Sequence, residues 1–142
     1  MDTKKVVNPA SAPSPVGPYS HAVRAGNMLF CSGQIPIDPT TGNLVEGDIR
    51  VQTERVMENI RAILDAERLG FDSVVKTTVF LVDMADFAGM NEVYARYFKS
   101  DFPARSTVAV AALPRNARVE IEVVACYKQV GQLKAPGCDA DL

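Results

Sequence analysis

The sequence predicts an α+β fold, a mixed β-sheet with two helices packed on one face. Three observations predict it. A long amphipathic stretch follows a helix-capping Asp48, several runs rich in Val, Ile and Thr alternate in polarity, and a second helical stripe lies between two of those runs. The resulting order is β-β-α-β-α-β-β, and two helices covering one face of one sheet is the economical packing.

Each element follows from local chemistry. Pro9, Pro13, Pro15 and Pro18 remove backbone donors and fix φ, so the N-terminal stretch is extended and irregular. Short strands are expected at 21–24 and at 28–34, the latter stopping near Pro36, and residues 38–42 carry turn residues. Asp48 is the expected N-cap of a helix reaching Leu69, with Gly70 at the C′ position. Its apolar residues Val56, Met57, Ile60, Ile63 and Leu64 form one stripe at helical period, while Arg55, Glu58, Arg61 and Arg68 form a solvated side. Residues 73–82 read as a strand. Asp83 or Asp86 then caps a second helix to about Phe98, with Phe87, Met90, Tyr94, Tyr97 and Phe98 as its stripe. Asn91 sits at the inner edge of that stripe, as either a satisfied core amide or a polar lining group. Residues 106–112 and 117–126 read as a strand pair joined by Leu113–Asn116. Residues 1–129 are expected to form a single domain and 130–142 a loose tail.

Composition limits the chemistry. The chain has 142 residues, 47 % hydrophobic and 23 % charged, with a formal net charge of -2. Without a Lys/Arg cluster, neither a DNA-binding surface nor a polybasic membrane anchor is expected. A single histidine, His21, cannot build a multi-His metal site, and it lacks an evident Asp partner for a nucleophilic triad. It therefore reads as structural or surface. Cys31, Cys126 and Cys138 are an odd set at unrelated spacings, which fits reduced thiols in a cytoplasmic protein. The N-terminus has no apolar signal core, and no apolar run is long enough for a membrane span.

The last two strands carry the candidate site. Alternation puts Val119, Ile121, Val123 and Ala125 on one face, and Ser106, Val108, Val110 and Ala112 on one face of the partner. Matching these apolar faces pairs Val108 with Val123, Val110 with Ile121 and Ala112 with Val119. On that register Arg105 and Glu120 share the face away from the helices, but at opposite ends, about 20 Å apart. They cannot meet within one subunit. The small residues Thr107, Ala109 and Ala111 between them suit packing against another sheet, so an oligomer interface is expected; the plain alternative is a solvated face with two ordinary charges.

At this point the sequence resembles the RidA/YjgF family of reactive intermediate deaminases. Pro103-Ala-Arg105-Ser-Thr107-Val-Ala-Val-Ala-Ala-Leu113, followed by Val119-Glu120-Ile121-Glu122, is similar to its signature. Gly17-Pro-Tyr19-Ser, Cys31-Ser-Gly-Gln-Ile-Pro36 and Val75-Lys-Thr-Thr-Val79 resemble its other blocks, in order, over roughly residues 6–127. The resemblance implies a chorismate-mutase-like homotrimer with clefts between subunits. It further implies hydrolysis of 2-imino acids such as 2-iminopropanoate and 2-iminobutanoate to 2-oxo acids and ammonia, which protects pyridoxal-phosphate enzymes. No cofactor, metal or nucleic-acid partner is implied. Arg105 would hold the substrate carboxylate through its two-donor fork. The Thr107 backbone would meet the imine nitrogen; family members often carry Cys there. Glu120 would orient and polarise the attacking water. Tyr19, Ser32, Gly33 and Asn91 would line the cleft, although Tyr19 also reads as a packed aromatic and Ser32 as a plain strand hydroxyl. The alternative function is a metabolite-binding regulatory trimer without strong catalysis. Ribonuclease and chaperone-like roles are also assigned to relatives, the former fitting poorly with a pI of about 5.4.

Overall fold

In chain order, the computed structural model contains β1 (Lys5–Val7), β2 (Ala22–Ala25), β3 (Met28–Gln34), α1 (Ile49–Ala66), β4 (Val74–Leu81), α2 (Phe87–Ala95), β5 (Ala104–Ala109) and β6 (Val119–Cys126). The structure describes residues 3–128, so the expected tail over 130–142, with Cys138, lies outside the described residues. The predicted α+β architecture is present as one six-stranded sheet, ordered β1-β2-β3-β6-β4-β5. Every neighbouring pair is antiparallel except β4 and β5, which are parallel. Both helices cover the face that presents Leu29, Val79, Leu81, Val119 and Ile121, all of them fully buried. Among the described residues no helix is long and apolar enough to cross a membrane.

The expected hairpin of the last two strands does not form. β4 lies between β5 and β6, with Val79 level with Thr107 on one side and Ile121 on the other. Alternation identifies which side chains share a face, but not which strand lies alongside. Parallel β5 is reached from β4 through α2, the usual crossover for a parallel pair. The expected Val108–Val123, Val110–Ile121 and Ala112–Val119 pairs are therefore wrong. Val108 is level with Phe80, and Val123, Ile121 and Val119 are level with Thr77, Val79 and Leu81.

The correction moves Arg105 to the other face. Arg105 is level with Thr77, which is buried and shares a 2.8 Å hydrogen bond with Tyr94 of α2. Arg105 and Thr107 thus face the helices, whereas Glu120, level with Phe80, faces away. The exposed apolar residues of that far side include Phe30 and Val108.

Helix ends differ in detail from expectation. Asp48 caps α1 by accepting from the Val51 N–H at 3.1 Å. The C-terminus closes earlier than predicted, in a Schellman arrangement: the Leu69 N–H donates to Leu64 and the Arg68 N–H to Asp65. Arg68, at φ 58°, takes the left-handed position expected of Gly70. Of the two candidates at the second helix, Asp86 holds the N-cap position of α2 without a side-chain cap bond, and Asp83 caps the 3₁₀ turn Met84–Asp86 that leads into it, accepting from the Ala85 N–H at 2.9 Å. Asp86 instead forms a two-point ion pair with Arg118, tying the start of α2 to β6. α2 ends at Ala95, but Phe98 stays buried against Tyr94 and Phe71. The three-residue β1 was not predicted; it is too short to show alternation.

Candidate active site

One chain carries two half-sites, on opposite faces of the sheet. The first is a cleft of about 590 Å³ lined by Tyr19, Ser32, Gly33 and Glu120 among others. The ladder between β3 and β6 is irregular from Cys31 to Gln34, so Ser32 and Gly33 leave regular pairing beside the Glu120 side chain. Gly33 leaves room there for the Glu120 side chain. A Cβ at this position would overlap Glu120 Oε2 and lie 2.8 Å from its Cδ. The carboxylate is therefore laid across the β3 backbone at Gly33, which lines the cleft as expected. Burial, with a smaller contribution from the Glu122 charge, raises the Glu120 pKa above its usual value, which makes it a better base at neutral pH.

The cleft hydroxyls have distinct roles. Ser32 Oγ donates to the Ser20 carbonyl at 2.6 Å, so its lone pairs remain for a donor in the cleft. Tyr19 is half exposed and its oxygen accepts from the Val16 N–H at 3.4 Å. It is not the packed core aromatic of the plain reading. His21, Gln34 and Arg115 also line the cleft, and the sequence reading did not place them there.

The second half-site is Arg105. Its Nη1 donates to Asn91 Oδ1 at 2.7 Å, so the Asn91 carbonyl is satisfied by the guanidinium and fixes its orientation. The guanidinium carbon lies 4.8 Å from the Tyr94 ring centre and 5.6 Å from that of Phe87. Such contacts hold a cation with about 0.5–2 kcal/mol and no countercharge. Among the described residues no carboxylate reaches Arg105 at ion-pair distance. A half-buried guanidinium held only by neutral groups retains its attraction for an incoming anion.

Thr107 extends this half-site along the sheet edge. The Val110 N–H donates to Leu81 of β4 at 2.8 Å. By the two-residue alternation of a parallel ladder, the backbone groups of Ser106 and Val108 also turn towards β4, and those of Arg105 and Thr107 towards the open edge. Thr107 Oγ1 is buried without a hydrogen-bond partner. Arg105, Asn91 and Thr107 are thus together, as are Tyr19, Ser32, Gly33 and Glu120, and the two sets are separated by the sheet. No group of three or more His, Cys, Asp or Glu side chains among the described residues is placed to hold a metal ion.

Fold and site together define a small α+β protein with a guanidinium held on one face of the sheet and a carboxylate lining a cleft on the other. The chain belongs to the Endoribonuclease L-PSP family, the RidA/YjgF group, which it matches over residues 9–127. A RutC family protein of Pyrococcus horikoshii is 55 % identical over 126 residues, covering 89 % of this chain and 99 % of the relative. The human 2-iminobutanoate/2-iminopropanoate deaminase is 47 % identical over 122 residues, covering 86 % and 89 %. The crystal structure of E. coli TdcF with bound serine superposes with a TM-score of 0.83 at 40 % identity, covering 87 % of this chain and 99 % of that one.

Proposed function

We propose that this chain, acting as one domain over residues 1–129, hydrolyses reactive 2-imino acids such as 2-iminopropanoate and 2-iminobutanoate to 2-oxo acids and ammonia. Its working form is a chorismate-mutase-like homotrimer in the cytoplasm, with no cofactor. The observation that carries the reading is Arg105, a cation held by Asn91, Tyr94 and Phe87 and unpaired with any described carboxylate. That arrangement suits the carboxylate of a 2-imino acid. Glu120, with its raised pKa, suits a water-activating base. An iminium carbon is already electrophilic, so a held carboxylate and a placed water suffice. Support for the activity comes from the human imine deaminase relative.

The two half-sites serve one substrate only if they come from different copies. Phe30 and Val108, exposed on the face away from the helices, support such an association. In the proposed cleft, Arg105 of one copy forks the carboxylate and the Thr107 backbone meets the imine nitrogen. Glu120 of the next copy takes a proton from the water as its oxygen bonds to C2, and the C=N electron pair moves to nitrogen. The resulting carbinolamine then expels ammonia. Tyr19 and Ser32 supply hydroxyls along the cleft wall.

The test couples an amino-acid oxidase to the purified protein and follows imine decay. Decay is expected to accelerate with wild-type protein and to fall back to the buffer rate with Arg105→Ala or Glu120→Ala. Decay no faster with wild-type protein than without it would sink the reading. Serine bound to TdcF favours one second reading, a metabolite-binding trimer without strong catalysis. That reading predicts amino-acid or oxo-acid binding dependent on Arg105 with no turnover.

A further inference from the structure

His21 is the only histidine of the chain and is 3 % exposed, yet neither ring nitrogen makes a well-formed hydrogen bond, the Pro13 carbonyl acting on the ring only as a weak, poorly aligned neighbour. A buried polar group left unsatisfied is costly and uncommon, and its persistence calls for an explanation. The His21 backbone is fixed: its N–H donates to Asn8 Oδ1 and its carbonyl accepts from the Ser32 N–H, both at 2.8 Å. The next residue, Ala22, is buried at the helix side, so His21 turns to the face of Ser32 and Glu120. It lines the same cleft as they do.

His21 leads into β2 and Glu120 lies on β6, with β3 between them. Two interstrand steps put their backbones about 10 Å apart, and both side chains line the one cleft of about 590 Å³. The other charged or titratable groups lining the cleft are Tyr19 and Arg115. Burial lowers the His21 pKa, with the Pro13 carbonyl working against it, and burial raises that of Glu120. The two groups are drawn toward each other in proton affinity, and His21 is neutral at neutral pH.

We propose that His21 is a second catalytic residue of the imine hydrolysis, carrying the proton that the carbinolamine hydroxyl loses to the departing ammonia. This rests on the imine-hydrolysis reading above. The protons balance. Water gives its first proton to Glu120 as the C–O bond forms, and Glu120 returns it to the amine nitrogen. As the C–N bond breaks, its electrons leave with ammonia, and the neutral His21 imidazole takes the second proton from the hydroxyl as it becomes the carbonyl. The imidazolium then protonates ammonia, whose proton affinity is higher, and ammonium leaves. Iminium and water enter with one positive charge, and oxo acid and ammonium leave with the same charge.

The experiment measures kcat and KM for oxidase-generated 2-iminopropanoate with wild type, His21→Gln and His21→Ala, across pH and with added imidazole. Expected are a kcat lower by about 10²-fold, KM within about twofold, loss of one limb of the pH profile, and partial rescue of His21→Ala by imidazole. Glutamine preserves size and polarity and guards against a folding defect. As an activity-independent readout, the His21 ring resonances are expected to shift on adding pyruvate. Both variants keeping wild-type kcat and pH profile would overturn the assignment while leaving the deaminase reading intact, and so would unmoved resonances. An inactive wild type would overturn both.

Discussion

Replacing Gly33 by alanine tests the Glu120 assignment through a residue with no functional group of its own. Gly33 does not have a left-handed φ, so alanine is acceptable to the backbone and even restricts the unfolded chain, worth about 0.4–1 kcal/mol. The whole cost falls on Glu120. The added methyl would overlap Oε2 and sit 2.8 Å from Cδ and 3.0 Å from Cγ. Carbon atoms settle about 3.5–4.0 Å apart, so the carboxylate must retreat by about 1 Å or more. Its side chain is flexible and faces an open cleft, so the fold absorbs that movement cheaply. Catalysis does not, because a 1 Å misplacement of a reacting group costs about 10²-fold. The oxidase-coupled imine assay is therefore expected to show kcat down about 10²-fold, with the melting temperature no lower than wild type by more than about 2 °C. Near wild-type kcat for a folded Gly33→Ala protein would refute the argument that the position of the Glu120 carboxylate matters for turnover.

Three further outcomes follow. Asn91→Ala removes the acceptor that aligns Arg105 and is expected to raise KM about tenfold, while Arg105→Lys, which keeps the charge and loses the fork, is expected to lose more than tenfold in kcat/KM. The base form of Glu120 is the active one and its pKa is raised, so activity is expected to fall with decreasing pH while still above the ordinary carboxylate range; Glu122→Gln, which removes the like charge, is expected to move that acid limb to lower pH in a pH–rate profile. Arg68→Gly relieves a left-handed residue at the end of α1 and is expected to add about 1 kcal/mol, or a rise of about 3–5 °C in a thermal melt.

The residues that reveal the helices also form their packed faces. The stripe from Val56 to Leu64 and the Asp48 cap are local signals, and the core realises them. Strand neighbours are a different matter. The β4 segment Val74–Leu81 bonds β5 on one edge and β6 on the other, and no period-two pattern records which strand lies alongside. The inserted β4 moves Arg105 from the face of Glu120 to the opposite one. The conclusion that both cannot serve one substrate within one chain survives, for a different geometric reason. Local chemistry also misled at Gly70, where backbone closure selected Arg68 instead. Arg105 and Glu120 were singled out through the family blocks that contain them; on residue type alone they read equally as two ordinary charges of a solvated face. His21 was not singled out, since a lone imidazole acquires meaning only from the cleft it lines. Cys31 behaves as read, a buried thiol whose pKa is pushed up to about 12.

The central claim is a site completed by two copies of the chain, Arg105 from one and Glu120 from the next. Mixing Arg105→Ala and Glu120→Ala chains, each inactive alone, tests it most directly. In a closed ring of three with random subunit exchange, about one site in four receives both intact residues. Recovery of about a quarter of wild-type imine hydrolysis is expected in the exchanged mixture, and about a third in verified mixed trimers, where one of the three sites is complete; no recovery in them would contradict the two-copy site.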